Sequence, residues 1–134
     1  MERLILDTSA LIAGVRGQVD IGALADADDV TIPMIAVAEY LAGTILDADP
    51  GRAAAQRAFL SEVLAVVPTQ DYDSGVARHH AALLAHVRGA GTKRGAHDLI
   101  IAASARALQR TILTGDKNAR FGDLPGVSVR LMGS

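Results

Sequence analysis

The 134-residue chain has no cysteine and no tryptophan, and its aromatics are two tyrosines and two phenylalanines. Without cysteine there is no disulfide framework and no thiolate-ligated structural zinc. Any metal must therefore be held by oxygen or by one of four histidines. So few aromatic rings argue against a platform on which unpaired bases stack. An excess of one charge is also missing. Thirteen Lys and Arg stand against fifteen Asp and Glu, a formal net charge of −2, which raises no polybasic flag. Long apolar runs are missing too. The stretches Thr31–Leu46 and Leu99–Ala105 fall short of the roughly 20 residues a membrane span needs. The N-terminal apolar run is cut at Asp7, too early for a signal segment. The expectation is a soluble, cytoplasmic protein with no membrane association. Its length fits a single domain over residues 1–134, large enough for one core to hold without staples.

Half of the residues are apolar, mostly Ala, Leu, Val and Ile, which suits helices packed on a small sheet. Arg3 to Leu6 reads as a short buried strand ending at Asp7, with Thr8 or Ser9 capping a helix that stops near Gly14–Gly17. A second short helix covers Val19–Ala27, and Val30–Ile32 is a strand closed by Pro33. Met34–Leu46 reads as a helix, stopped by the Asp47-to-Gly51 cluster. Arg52–Leu64 follows as an amphipathic helix with Ala55, Phe59, Leu60, Val63 and Leu64 on its apolar face. A third strand is expected at Ala65–Val67, ended by Pro68. Asp71 or Asp73 caps a long helix to about Val87, and a basic, glycine-rich loop runs from Gly89 to Gly95. A helix over His97–Gln109, a strand over Thr111–Leu113, a short turn carrying Phe121 and a strand over Val127–Leu131 complete the chain. Strands alternating with helices imply an α/β fold, a parallel sheet of about five short strands flanked by helices. Ligands of such sheets bind beyond the carboxyl ends of the strands.

Four acids stand out at those ends. Asp7 closes the first strand, and Asp116 follows the fourth by a Thr-Gly step. Asp98 lies in the first turn of its helix, and Glu39 is the one charged residue between Thr31 and Leu46. Each has a plain structural explanation: a turn or cap residue for Asp7, the helix dipole for Asp98, a loop acid for Asp116. Glu39 is hardest to explain that way, because its helix reads as apolar nearly all round and therefore buried, and a lone buried carboxylate is costly. Carboxylates converging on one crevice repel one another and call for a cation. Oxygen donors without thiolate suit a hard ion, Mg²⁺ or Mn²⁺. Such an ion could serve metal-assisted phosphodiester hydrolysis.

The same residues carry a family resemblance. Leu6-Asp7-Thr8-Ser9-Ala10, Ala38-Glu39-Tyr40, His97-Asp98-Leu99-Ile100-Ile101-Ala102 and Leu113-Thr114-Gly115-Asp116 occur in that order along the chain. In them the sequence resembles the PIN-domain ribonucleases, specifically the VapC-type toxins of bacterial toxin–antitoxin pairs. The resemblance implies a three-layer PIN-like fold and a metal-dependent endoribonuclease with Asp7, Glu39, Asp98 and Asp116 as its acidic set. It implies Asp7 and Asp98 as the most direct ion ligands, with Glu39 and Asp116 acting partly through water. Thr8 or Thr114 would position ligands or phosphate. It further implies a homodimer and a small antitoxin whose tail blocks the site. Many relatives carry a further Asp or Asn shortly after the fourth acid, for which Asn118 is the nearest counterpart here.

Basic residues flank two of the acids: Lys93 and Arg94 before Asp98, Lys117 and Arg120 after Asp116. Phosphate contacts from such groups add affinity without sequence information. Lys93 and Arg94 are the preferred candidates for binding an RNA substrate, and His97 is a candidate to orient Asp98 or touch phosphate. A phospho-receiver domain is excluded by the single acid after the first strand and by Pro68-Thr69-Gln70 where a phosphoacceptor would stand. No glycine-rich nucleotide loop follows a strand. The remaining alternative is a PIN-like module that binds RNA or protein without cutting.

Overall fold

The computed structural model describes residues 1–133. Five strands form one parallel sheet: β1 (Arg3–Leu6), β2 (Asp29–Pro33), β3 (Thr69–Gln70), β4 (Thr111–Thr114) and β5 (Ser128–Leu131), in the order β3-β2-β1-β4-β5. Helices α1 (Thr8–Val15) and α2 (Ile21–Ala27) link β1 to β2, and α3 (Met34–Leu46) and α4 (Pro50–Val66) link β2 to β3. Helices α5 (Ser74–Ala90) and α6 (Ala96–Leu108) carry the chain to β4, and two 3₁₀ turns, Lys117–Ala119 and Phe121–Asp123, lead to β5. The chain steps outward from β1 to β3, then returns to pair β4 with the other side of β1. The strand order therefore reverses between β1 and β4, the place where open α/β sheets bind ligands.

Alternating side chains divide the interior into two cores. Leu4, Leu6, Val30, Ile32 and Leu113 pack with α1, α3 and α4 on one face. Ile5 and Ile112 point the other way, against Val76, Leu83 and Val87 of α5 and Leu99, Ile101 and Ala102 of α6. This is the three-layer arrangement expected from the sequence.

Several local expectations change. The segment 65–67 is not a strand. Helix α4 continues to Val66, and β3 forms beyond Pro68 at Thr69–Gln70. A short apolar run does not distinguish strand from buried helix, and the buried positions Ala53, Leu60 and Val63 keep helical spacing. That face leaves Ala55 exposed and Leu64 37% exposed. The helix starts earlier as well, at Pro50, whose fixed φ suits a first turn, with Asp49 accepting from the Gly51 and Arg52 amides. Helix α1 is capped by Asp7, not by Thr8 or Ser9. Helix α3 is not buried all round. Ala36, Val37, Tyr40 and Thr44 face the core, while Met34, Ala38, Ala42, Ile45 and Leu46 form an exposed stripe. Among the described residues no helix is long and apolar enough to cross a membrane.

Phe121 is 2% exposed and packs into the α5–α6 core, which anchors the loop that follows β4. Phe121→Ala should cost about 3–5 kcal/mol of unfolding free energy, the usual loss for a buried aromatic. Urea titration measures this directly, and a loss below about 1 kcal/mol would mean that the loop is held by other contacts.

Candidate metal centre

Asp7 leaves β1 at the point of strand reversal and is 4% exposed. Its Oδ1 accepts from the Ser9 hydroxyl at 2.7 Å and from the Ala10 amide at 3.0 Å. Its Oδ2 accepts from the Thr114 hydroxyl at 2.5 Å, across the β1–β4 junction. The two hydroxyls are themselves supplied with donors. The Gly115 amide donates to Ser9 Oγ at 2.8 Å, and the Asp116 amide donates to Thr114 Oγ1 at 3.0 Å. Asp7 is thus helix cap and crevice acid at once. Burial pushes its carboxyl above the ordinary carboxylate range, the hydroxyl and amide donors pull against that rise, and the charge of Asp116 adds to it.

Asp98 sits in the first turn of α6, where Gly95 is the N-cap and no side chain caps the amides. A Cβ on Gly95 would lie 3.2 Å from Asp98 Oδ2, so glycine leaves room for that carboxylate. Burial, then the charges of Asp116, Glu39 and Asp7, hold the Asp98 carboxyl above the usual range, with His97 opposing. The four predicted acids therefore share one electrostatic environment. Asp116 is exposed, and its Oδ1 accepts from the Asn118 amide at 2.9 Å and the Ala119 amide at 3.2 Å. Asn118 therefore enters the site through its backbone.

Glu39 is half-buried at the rim, where its carboxylate bridges two elements. Oε1 accepts from the Thr8 hydroxyl at 2.8 Å, and Oε2 accepts from His97 Nδ1 at 3.0 Å. The expectation of an unpartnered buried glutamate is corrected by the exposed face of α3. His97 meets Glu39 instead of orienting Asp98. Glu39 stands between two depressions. One of ≈ 240 Å³ is formed with Gly95, Ala96, His97 and Asp98, and a larger one of ≈ 630 Å³ runs past Ile12 and Tyr40 toward Arg52. Among the described residues no Lys or Arg forms an ion pair with any of the four acids.

The two candidate substrate cations separate. Lys93 is exposed. The Arg94 side chain is 11% exposed, and its Nη1 donates to the carbonyls of Ala119 and Arg120. A guanidinium held this way is not free to meet a phosphate. Sequence reasoning passed over Ser9 as a site residue. Its signal was the Asp-x-Ser spacing, which lets the hydroxyl reach back to the carboxylate.

The donors fit a hard divalent cation: carboxylate and hydroxyl oxygens, with imidazole only at the rim. Among the described residues no group of three or more His, Cys, Asp or Glu is assembled that could hold an ion. Mg²⁺ typically takes one or two carboxylates and fills its remaining positions with water, which this open arrangement allows.

The PIN domain model matches residues 4–125, so the chain belongs to the PIN domain family. Solved structures of VapBC proteins share its fold. VapBC2 from Rickettsia felis, bound to a promoter DNA fragment, superposes with a TM-score of 0.82 at 20% identity, covering 96% of this chain and 97% of that one. DNA-bound VapBC from Salmonella typhimurium gives 0.81 at 22%, covering 98% and 99%. VapBC-5 from Mycobacterium tuberculosis, a member of the VapBC family of toxin–antitoxin systems, gives 0.77 at 29%, covering 98% of each chain. No curated protein matches the sequence. The family membership supports a nuclease.

A carboxyl whose pKa is raised on folding stabilises the protein below its unfolded pKa, and that contribution is lost as pH rises through the folded value. Metal-free Asp98→Asn should therefore melt at or above the wild-type temperature at neutral pH. The difference should vanish as pH falls below the ordinary carboxylate range. Differential scanning fluorimetry in EDTA across pH decides it. Marked destabilisation of the variant would instead assign Asp98 a role in holding the helix.

Proposed function

We propose that the protein is the toxin of a toxin–antitoxin pair, a Mg²⁺- or Mn²⁺-dependent endoribonuclease that hydrolyses RNA phosphodiester bonds. One observation carries this reading: Asp98 lies among the charges of Asp116, Glu39 and Asp7, and among the described residues no Lys or Arg is paired to any of the four. A fold that keeps such repulsion has use for a cation. When bound, a divalent ion supplies Lewis-acid polarisation of the phosphate and an activated water. Asp7 and Asp98 are the proposed direct ligands, with Glu39 and Asp116 completing the set through water.

The chain's own residues have distinct tasks. Ser9, Thr114 and the Ala10 amide fix the Asp7 carboxylate so that it need not reorganise. Thr8 and His97 hold Glu39 at the rim. Asp116 has Oδ1 committed to the turn amides, while Oδ2 accepts no hydrogen bond among the described residues. Exposed Lys93, Lys117 and Arg120 are placed to contact backbone phosphates, which position RNA without reading its sequence. The partner is a small antitoxin whose Lys- or Arg-bearing segment neutralises the crevice.

Purified protein on total bacterial RNA tests the chemistry. Discrete cuts are expected with Mg²⁺ or Mn²⁺ and none with EDTA. Asp98→Asn should lose at least about 100-fold in kcat/KM, equivalent to about 2.7 kcal/mol of transition-state stabilisation. Metal-independent cutting, or an unaffected variant, would refute the mechanism. A wild type that binds RNA but never cuts would favour the silent binding module.

We also infer a homodimer, because α3 presents Ile45 at 80% exposure and Leu46 at 83%, with Met34 at 40% on the same stripe. Large apolar side chains exposed on one helix mark a candidate interaction site. Sedimentation velocity should show dimers at micromolar concentration and monomers for Ile45→Glu. A wild-type monomer under those conditions rules the dimer out.

A further inference from the structure

The basic loop before α6 contains two neighbouring cations with opposite fates. Lys93 is exposed, whereas the Arg94 side chain is 11% exposed. Arg94 Nη1 donates to Ala119 O at 2.6 Å and to Arg120 O at 2.8 Å. Its Nη2 stands 3.9 Å from Asp123 Oδ2, and its buried Nε has no hydrogen-bond partner among the described residues. Arg120 has φ 47°, in the left-handed region that side-chain-bearing residues adopt at a cost. The outcome is two successive carbonyls that accept from one guanidinium nitrogen.

The same three-residue turn is held at its other end by an acid of the crevice. Asp116 Oδ1 accepts from the amides of Asn118 and Ala119. Ala119, 8% exposed, is therefore gripped on both sides of one residue, its N–H by Asp116 and its carbonyl by Arg94. Arg94 in turn precedes Asp98 by four residues, across Gly95. A continuous path thus leads from Asp98 through the loop backbone to Arg94, on to Ala119, and from there to Asp116.

We propose that Arg94 is a positioning residue: its guanidinium fastens the α5–α6 loop to the 3₁₀ turn after β4 and so sets Asp116 against Asp98. The clamp stands on hydrogen bonds alone. Its effect on metal affinity rests on the reading of the acids given above. Asp98 and Asp116 both belong to the proposed acidic set, and the clamp joins the loop before the one to the turn that the other caps. Partners of this kind behind metal ligands typically contribute 10–100-fold to affinity.

The experiment compares the full-length wild type with Arg94→Gln, Arg94→Lys and Asp123→Asn. Amide hydrogen exchange of Asn118 and Ala119 in metal-free protein reads the clamp itself, with the β1 amides as an internal reference. Mn²⁺ affinity, measured from the EPR signal of free Mn²⁺, reads its consequence, and kcat and KM on RNA distinguish positioning from substrate contact. In Arg94→Gln, exchange at the two amides should accelerate about 10-fold while β1 stays protected. Mn²⁺ affinity should fall about 10–100-fold, and kcat should drop with KM within about twofold. Arg94→Lys should restore part of each effect. Asp123→Asn should change none, because the carbonyls and not the ion pair hold the guanidinium. Unchanged exchange at Asn118 and Ala119 in both Arg94 variants overturns the clamp. A raised KM with unchanged Mn²⁺ affinity overturns it in favour of a phosphate contact. Losses in Asp123→Asn equal to those in Arg94→Gln overturn the carbonyl-capture mechanism. A wild type that binds no Mn²⁺ overturns the metal reading and the functional half of the proposal, while the exchange data still judge the clamp.

Discussion

Both oxygens of one buried carboxylate are committed, and the crevice is arranged around that commitment. Asp7 Oδ1 closes the first turn of α1, and Oδ2 accepts from Thr114 at the end of β4. The strands β1 and β4 meet where the sheet order reverses. A single side chain therefore starts a helix, ties two strand ends together and presents a negative charge at the crevice. Unpaired burial of such a charge is expensive. Here the cost is offset by two hydroxyl donors and one amide donor, each hydroxyl itself accepting from a backbone amide of the β4 loop.

The surrounding acids are held by different means, and the difference suits their proposed tasks. Asp98 accepts no hydrogen bond among the described residues and faces three like charges. Glu39 has both oxygens engaged, by Thr8 and His97. Asp116 has one oxygen tied to a turn. Rigid support behind some ligands and freedom in others is the usual division in a site that must accept an ion and still exchange water and substrate. The fold uses aspartate repeatedly for plain capping as well. Asp20, Asp49 and Asp73 accept from helix N-terminal amides on the surface. Capping chemistry alone does not mark the crevice. Position at the strand reversal does.

The short apolar run Leu4–Leu6 and the helix-breaking clusters after Leu46 and Val87 made the succession of strands and helices legible, because both signals are local. The third strand was not legible. Ala65–Val67 is apolar enough for either state, and packing of Leu60 and Val63 against the core carries the helix through to Val66. Glu39 was recognised for a reason that the structure replaced. Helix α3 looks apolar on every side, yet only one side meets the core. Arg94 was chosen for its charge and neighbourhood, which say nothing about whether a guanidinium turns outward to solvent or inward to carbonyls.

Sequence alone determined the alternation of elements, the residue types at the strand ends and the acids available for a hard ion. These follow from side-chain periodicity, capping preference and donor chemistry, all of which act within a few residues. Tertiary structure decided which groups meet. Thr114 reaches Asp7 across 107 positions, His97 reaches Glu39 across 58, and Arg94 reaches Ala119 across 25. Hydrogen bonds over such separations depend on the order of strands and the seating of helices, and no local propensity encodes them.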